Sequence, residues 1–318
     1  MALFINESQV RELLSMKQAI VEVEKAFIAR AKGTAFDVPR VRTRMPGGHL
    51  HILQAGAMDL NLVGYKAYYI QPDKSRTTLL NLINRKDGHL EAVIESDSLS
   101  QIRTGAATAV AAKVLAREDS SVLGLFGSGR HAVTQLEAIC AVRQFKQVRV
   151  FSREPGKLAA FCQRMEQQLG VLVSPAVSAE ETVRGSDVVI AMTRASEPVF
   201  DGRWIEPGQF IAATGSNALD RREIDLATVR RADVLVVDSR EVAKGESGDL
   251  LAAFENGHLY WENIADLGDV LTGRWPGRTD ANQVTLYESH GMALQDIYTG
   301  AYLLEAARAQ GIGTELPY

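Results

Sequence analysis

Residues 122–136 read VLGLFGSGRHAVTQL: an apolar run from Val122 to Phe126 breaks at Gly127-Ser128-Gly129 and resumes with helical spacing. The succession of segments after this break constrains the fold most. The runs QVRVFSR, VLVSPAV, DVVIAMT, QFIAATG and VLVVDS succeed one another after SVLGLFG, with helix-like segments between the earlier ones. Short apolar strands separated by helices specify a parallel sheet covered on both faces. The expected fold class is therefore α/β, with a doubly wound parallel sheet. After Asp249 come amphipathic stretches, one more strand-like run (QVTLYES) and a last helix, MALQDIYTGAYLLEAARAQG.

The first third of the chain has another rhythm. ESQVRELLSMKQAIVEVEKAFIARAKG places Val10, Leu13, Leu14, Ile20, Val23, Phe27 and Ile28 at helical spacing and stops at Gly33. Residues 41–96 then carry short β-rich segments, HLHILQAG, LVGYKAYYI, TLLNLINR and LEAVIES, with a hairpin turn expected at Lys86-Asp87-Gly88. A helix rich in small residues, SQIRTGAATAVAAKVLA, follows. The expected division is a β-rich α+β domain over 1–115, rejoined by the C-terminal helical segment 291–318, and a doubly wound domain over 116–290.

Bulk properties narrow the partners. Apolar residues make up 46 % and charged residues 23 %, and the net charge is −4. That balance suits a globular chain with a large core and argues against nucleic-acid or anionic-membrane partners. No uncharged apolar stretch approaches the roughly 20 residues of a membrane span. The opening MALFINESQVRELL has acids early and no long apolar core, so no signal peptide is read and a cytoplasmic location is expected. Cys140 and Cys162 sit in helix-like patterns and read as buried thiols. His49-x-His51 has a spacing seen in metal sites, but no cysteine or carboxylate cluster accompanies it, and no metal is expected.

Gly127-x-Gly129-x-x-Ala132 fits the dinucleotide pattern G-x-G-x-x-G/A, with a strand before it and a helix after it. The first glycine permits the tight turn, the second lets a pyrophosphate approach the backbone, and Ala132 keeps helix and strand close. A structural turn with chance glycines is the competing reading. At the next strand end Ser152 and Arg153 stand where an NAD site usually has an acid. A hydroxyl and a guanidinium suit a 2′-phosphate, which favours NADP, with NAD as the alternative if Glu154 serves the ribose.

Several ordered motifs match one family. They are PRVRT (39–43), GYK (64–66), SQIRTGAATAVAAKVLA (100–116), LGLFGSGRHA (123–132), GSDVVIAMT (185–193), EPVFDGRWIEPGQFIAATGSN (197–217), RREID (221–225), VVDS (236–239) and YESHGMALQD (287–296). Along nearly its whole length the chain resembles the ornithine cyclodeaminase/mu-crystallin family. The resemblance implies a substrate-binding and dimerisation domain joined to a Rossmann domain, usually in a homodimer. It also implies action on the α-carbon of an amino acid or cyclic imine through a bound nicotinamide.

By that resemblance Arg42 and Lys66 bind the substrate carboxylate, with Arg40 as an alternative to Arg42, and Lys66 also serves the reacting nitrogen or oxygen. Arg103 lies near both cofactor phosphate and substrate carboxylate, with Thr104 beside it. The cofactor contacts implied are Thr78, Arg103, Thr104, Gly127, Ser128, Gly129, Arg130, His131, Ala132, Ser152, Arg153, Thr193, Gly215, Ser216, Asn217, Arg221, Ser289 and His290. Asn217 stands where cyclodeaminases of the family carry an aspartate. Asparagine cannot be a general base, though it can orient an amine or imine. Cyclising deamination is thereby disfavoured, and hydride exchange between an L-amino acid and its imino or 2-oxo acid is expected. A basic amino acid such as L-arginine is the preferred substrate, because the NADP-type strand end and Asn217 are similar to the arginine-dehydrogenase branch. An ornithine-type cyclodeaminase, a cyclic ketimine reductase and a non-catalytic ligand-binding protein remain alternatives.

Overall fold

The computed structural model describes residues 1–71, 73 and 77–317. The chain opens with β1 (Ala2–Ile5), α1 (Glu7–Leu13) and α2 (Met16–Ala31). Next come β2 (Ala35–Asp37), β3 (Val41–Met45), β4 (Gly48–Ala57), β5 (Leu62–Ile70), β6 (Thr78–Asn84), β7 (Leu90–Glu95) and α3 (Asp97–Leu115). The alternating part begins with β8 (Val122–Phe126), α4 (Arg130–Val142), β9 (Gln147–Phe151), α5 (Pro155–Leu169) and β10 (Leu172–Pro175). It continues through α6 (Ala179–Val183), β11 (Val188–Ala191), β12 (Phe210–Ala213), α7 (Leu226–Arg231), β13 (Val234–Val237) and α8 (Arg240–Glu246). The remaining elements are α9 (Gly248–Glu255), β14 (Ala265–Asp266), α10 (Leu267–Leu271), β15 (Thr285–Glu288), α11 (Ala293–Gln310) and β16 (Thr314–Leu316).

The elements form two units, one of Met1–Arg103 with the segment from Met292 onward, the other of Thr104–Gly291. The division falls inside α3 and not at residue 115. The reason is that the later part of α3 is fastened to the second unit. Arg143 donates to the carbonyls of Ala112, Lys113 and Ala116, and the Leu115 carbonyl accepts from Arg278 and Thr285.

In the first unit the sheet order is β16-β1-β7-β6-β5-β4-β2, with β3 also paired to β4. The expected hairpin is present: β6 and β7 run antiparallel, and Gly88 lies in the left-handed region at φ 76°. The single N-terminal helix expected from the sequence is two, because Ser15 caps a new helix by accepting from the Gln18 N–H while Leu14 is extended. The C-terminal segment is also more than a helix, since β16 pairs with β1 after the Gly311 cap. Leu80 and Leu82 of β6 are buried, and α11 is buried on most of its surface. Gly64 of β5 permits close packing here, since a Cβ would overlap the Asn81 carbonyl and come within 2.8 Å of Ile297 on α11.

In the second unit the sheet order is β10-β9-β8-β11-β12-β15-β13-β14, every adjacent pair parallel. The first five strands in sequence thus take the Rossmann order 3-2-1-4-5, with the reversal between β8 and β11. β11 and β12 are buried at every residue, as strands covered on both faces must be. Cys140 is half-buried, Cys162 is buried, and both are free thiols. No helix among the described residues is long and apolar enough to cross a membrane.

Candidate functional site

The parallel register of the second unit sets a row of strand ends. Phe151 of β9 pairs with Phe126 of β8, Phe126 with Ala191 of β11, Ala191 with Ala213 of β12, and Ala213 with Glu288 of β15. One or two residues beyond that row stand Ser152, Gly127, Thr193, Gly215, Ser289 and His290, all on the carboxyl edge of the sheet. This is the edge where open α/β sheets bind ligands.

At the β8 end, Gly127 has φ 108°, and a Cβ there would overlap the Met192 carbonyl, so the turn requires glycine. Gly129 caps α4 with extended backbone and no side-chain cap, and nothing lies within 4 Å of where its Cβ would be. The turn therefore leaves open space beside the start of α4, where a helix N-terminus favours an anion. Arg130 is exposed, His131 is half-buried and Ala132 is fully buried. The Ser128 hydroxyl lies 3.1 Å from that of Ser152, which joins the turn to the β9 end. Arg153 is exposed beside it, while Glu154 accepts from Lys157 at 2.7 Å. The open glycine cradle and uncapped helix start fit a dinucleotide pyrophosphate, and the Ser152-Arg153 pair fits an anionic ribose substituent.

At the other strand ends the predicted residues are held by buried carboxylates that sequence reasoning missed. Glu223 Oε1 accepts from the Thr193 N–H (2.5 Å) and hydroxyl (2.6 Å), and Oε2 accepts from the Gly215 N–H (2.6 Å). Burial and the neighbouring Asp249 push the Glu223 carboxyl up to about 7. Asp238 accepts from the Ser289 hydroxyl, the His290 and Gly291 N–H groups and the Tyr287 hydroxyl. Ser216 donates to the Arg221 carbonyl, so these residues shape the loop after β12, where Asn217 is half-buried and the Arg221 side chain is exposed. Thr104 is half-buried at the start of the portion of α3 that belongs to this unit.

The first unit contains a separate charged cluster. Residues 64, 66 and 68 share one face of β5 by strand alternation, and that face meets α11. Lys66 is 2 % exposed, and its Nζ donates to Asp296 Oδ1 at 2.7 Å and lies 3.1 Å from the Ser100 hydroxyl. Arg103 follows Ser100 by one turn of α3. Its Nε donates to the same Asp296 oxygen at 3.2 Å and its Nη1 to Gln295 Oε1 at 2.7 Å. Asp296 Oδ2 is buried with no hydrogen-bond partner.

Burial lowers the Lys66 ammonium from 10.5 to about 7; Asp296 opposes the fall, and the charges of Arg103 and Arg40 deepen it. Arg40 is thus electrostatically joined to the cluster, and it donates to the Tyr68 hydroxyl at 3.2 Å. Arg42, the first choice from sequence, lies half-buried on β3 opposite His51. Thr78 is buried on β6, paired in register with Tyr68. His51 stacks on Tyr68 at 4.8 Å, and among the described residues no group of three or more His, Cys, Asp or Glu side chains could hold a metal ion.

Ser100, Gln295 and Asp296 lay inside recognised motifs but carried no role. An acid flanked by Leu294, Ile297 and Tyr298 in the more apolar first half of α11 was the available signal. Two cations, Lys66 and Arg103, share the one Asp296 oxygen, so with both charged the cluster is short of one anion and a ligand carboxylate would complete it.

Comparison with known proteins bears on both units. The model of the Ornithine cyclodeaminase/mu-crystallin family matches residues 2–311. The chain is 31 % identical to an alanine dehydrogenase of Archaeoglobus fulgidus, over 99 % of this chain and 98 % of that one. Its structure is similar to that of Thermococcus litoralis Δ1-pyrroline-2-carboxylate reductase in complex with NADH and L-proline. The TM-score there is 0.94 and the identity 33 %, covering 99 % of this chain and all of the other. An archaeal alanine dehydrogenase dimer with bound NAD superposes with a TM-score of 0.93 at 30 % identity, covering 100 % of this chain and 99 % of that one.

Proposed function

The chain belongs to the ornithine cyclodeaminase/mu-crystallin family, and we propose that it is an oxidoreductase moving hydride between a nicotinamide dinucleotide and the α-carbon of an α-amino or α-imino acid. The observation that carries this reading is the buried Lys66–Asp296–Arg103 cluster, a site short of one carboxylate. Arg103 and Arg40 neutralise the substrate's carboxylate. Lys66 Nζ, half-protonated near pH 7, exchanges a proton with the substrate nitrogen, while Ser100 and Asp296 fix its position. When bound on the second unit, the dinucleotide supplies the acceptor or donor of hydride. The named relatives, an alanine dehydrogenase and a pyrroline-2-carboxylate reductase, support this reaction class.

Three finer choices belong to the same proposal. NADP is favoured over NAD by Ser152 and the exposed Arg153, with no acid in the ribose position at the β9 end. A basic amino acid such as L-arginine rests on that strand end together with Asn217. A homodimer is supported by the exposed Phe36, Val38, Val41, Met45 and Tyr65 of the first unit, and by the dimeric archaeal alanine dehydrogenase. Asn217 counts against the cyclodeaminase alternative, because an amide cannot take a proton from the substrate amine.

The test is a panel of L-arginine, L-lysine, L-ornithine, L-alanine and L-proline, each with NADP and with NAD. Absorbance of the reduced nicotinamide and release of ammonia are followed together. Reduction with at least one amino acid supports the proposal. Ammonia without net reduction points to cyclodeamination, and neither signal leaves a binding protein.

A further inference from the structure

Glu223, Asp249 and Glu288 are buried side by side at the carboxyl edge of the second unit. Hydrogen bonds link them to the start of α9, to the loop that carries Glu223 and to the ends of β11 and β12. Ser247, the cap of α9, donates to Glu288 at 2.8 Å, and Asp249 in the first turn of α9 accepts from the N–H groups of Glu223 (2.5 Å) and Ile224 (2.9 Å). Glu223, held in this way, gathers Thr193 and Gly215, each two residues past the register row on the neighbouring strands β11 and β12.

In a doubly wound sheet the dinucleotide crosses the point where strand order reverses. With the pyrophosphate on the turn after β8 and the adenosine ribose at the β9 end, the second nucleoside extends over β11 and β12. We infer that Glu223 is a positioning residue of the nicotinamide half-site, tying the ends of β11 and β12 at the separation that nucleoside needs, while leaving the adenosine half untouched. This rests on the dinucleotide reading above.

A carboxylate suits the task for a definite reason. Two N–H groups and one hydroxyl converge on Glu223, and above its raised pKa of about 7 the carboxylate is ionised and acceptor-only, so the comparison belongs at about pH 8.5. Glutamine of the same shape would turn its NH2 toward one of those donors. Glu223→Gln therefore opens one strand-end tie without creating a cavity.

The experiment is calorimetric titration of the full chain, wild type and Glu223→Gln, with NADPH, NADH and ADP-ribose, the last carrying the adenosine half but no nicotinamide. The expected result is dinucleotide binding about tenfold weaker or more in the variant, with ADP-ribose within about twofold of wild type. Equal weakening of the dinucleotides and of ADP-ribose, or no change in any of the three, overturns the inference and leaves the dinucleotide reading intact. Wild-type protein that binds none of the three removes both. If Glu223→Gln fails to fold, Asp249→Asn, which loosens the Glu223 backbone, is read by the same split and the same criteria.

Discussion

Replacing Asp296 with asparagine should move the pH dependence of imine reduction and leave its maximum largely in place. Asp296 accepts from Lys66 at 2.7 Å with both groups buried, and its negative charge holds the lysine up at about 7 against the pull of burial and of two arginines. An opposite charge at this range is worth about 1–3 units, so its removal lowers Lys66 further, by roughly 2. The ammonium form, the proton donor in reduction, persists below each pKa and is lost above it. At pH 7 the wild type is about half protonated and the variant about one part in a hundred, which gives a rate roughly 50-fold lower. Near pH 5 the variant recovers most of that difference. The assay is the initial rate of reduced-dinucleotide consumption from pH 4.5 to 9 (roughly the span that brackets both pKa values), with both proteins on the same imino acid so that the substrate's own ionisation cancels in the ratio. A loss uniform across pH, or a basic limb that stays where the wild type has it, would refute the assignment of Lys66 as proton donor under the control of Asp296.

Gly127→Ala forces a side chain into a left-handed backbone and against the Met192 carbonyl, at a cost of about 1–3 kcal/mol. Scanning calorimetry should show a lower unfolding midpoint, and titration should show weaker binding of NADPH and ADP-ribose alike; wild-type values in both would mean the turn does not need its glycine. Arg153→Asp should lower the ratio of NADP to NAD affinity by about tenfold or more, whereas an unchanged ratio would take Arg153 out of the cofactor choice. Asp238→Asn leaves one acceptor oxygen for donors from Tyr287, Ser289, His290 and Gly291, and urea unfolding should show a loss of about 2–4 kcal/mol.

The second unit was legible because its strands announce themselves locally. β8, β11, β12 and β13 are runs of four or five consecutive apolar residues that leave little else to form, and the turn at Gly127 marks the end of the first of them, whereas the two residues of β14 give no such signal. The first unit was less so. β1, β2 and β16 span only three or four residues and pair over long sequence distances, so no local period reveals them. The break between α1 and α2 depends on a serine cap within an unbroken helical spacing. Lys66 could be singled out as a charge within an apolar strand, and Arg103 by its motif. Their partner Asp296 lies 230 residues beyond Lys66, and nothing local shows that α11 brings it to β5. Glu223 was hidden for a related reason: it sits in a loop, where an acid ordinarily faces water, and only the packing of α9 against that loop buries it.

The most direct test compares two ligands at the cation cluster: the amino acid that supports turnover and its carboxamide, each titrated by calorimetry into the protein saturated with reduced dinucleotide, with which neither can be oxidised. Capture of a carboxylate by Arg103 and Arg40 predicts that the acid binds about 100-fold tighter than the amide or more. Equal affinity for the two would mean that these cations do not hold the substrate.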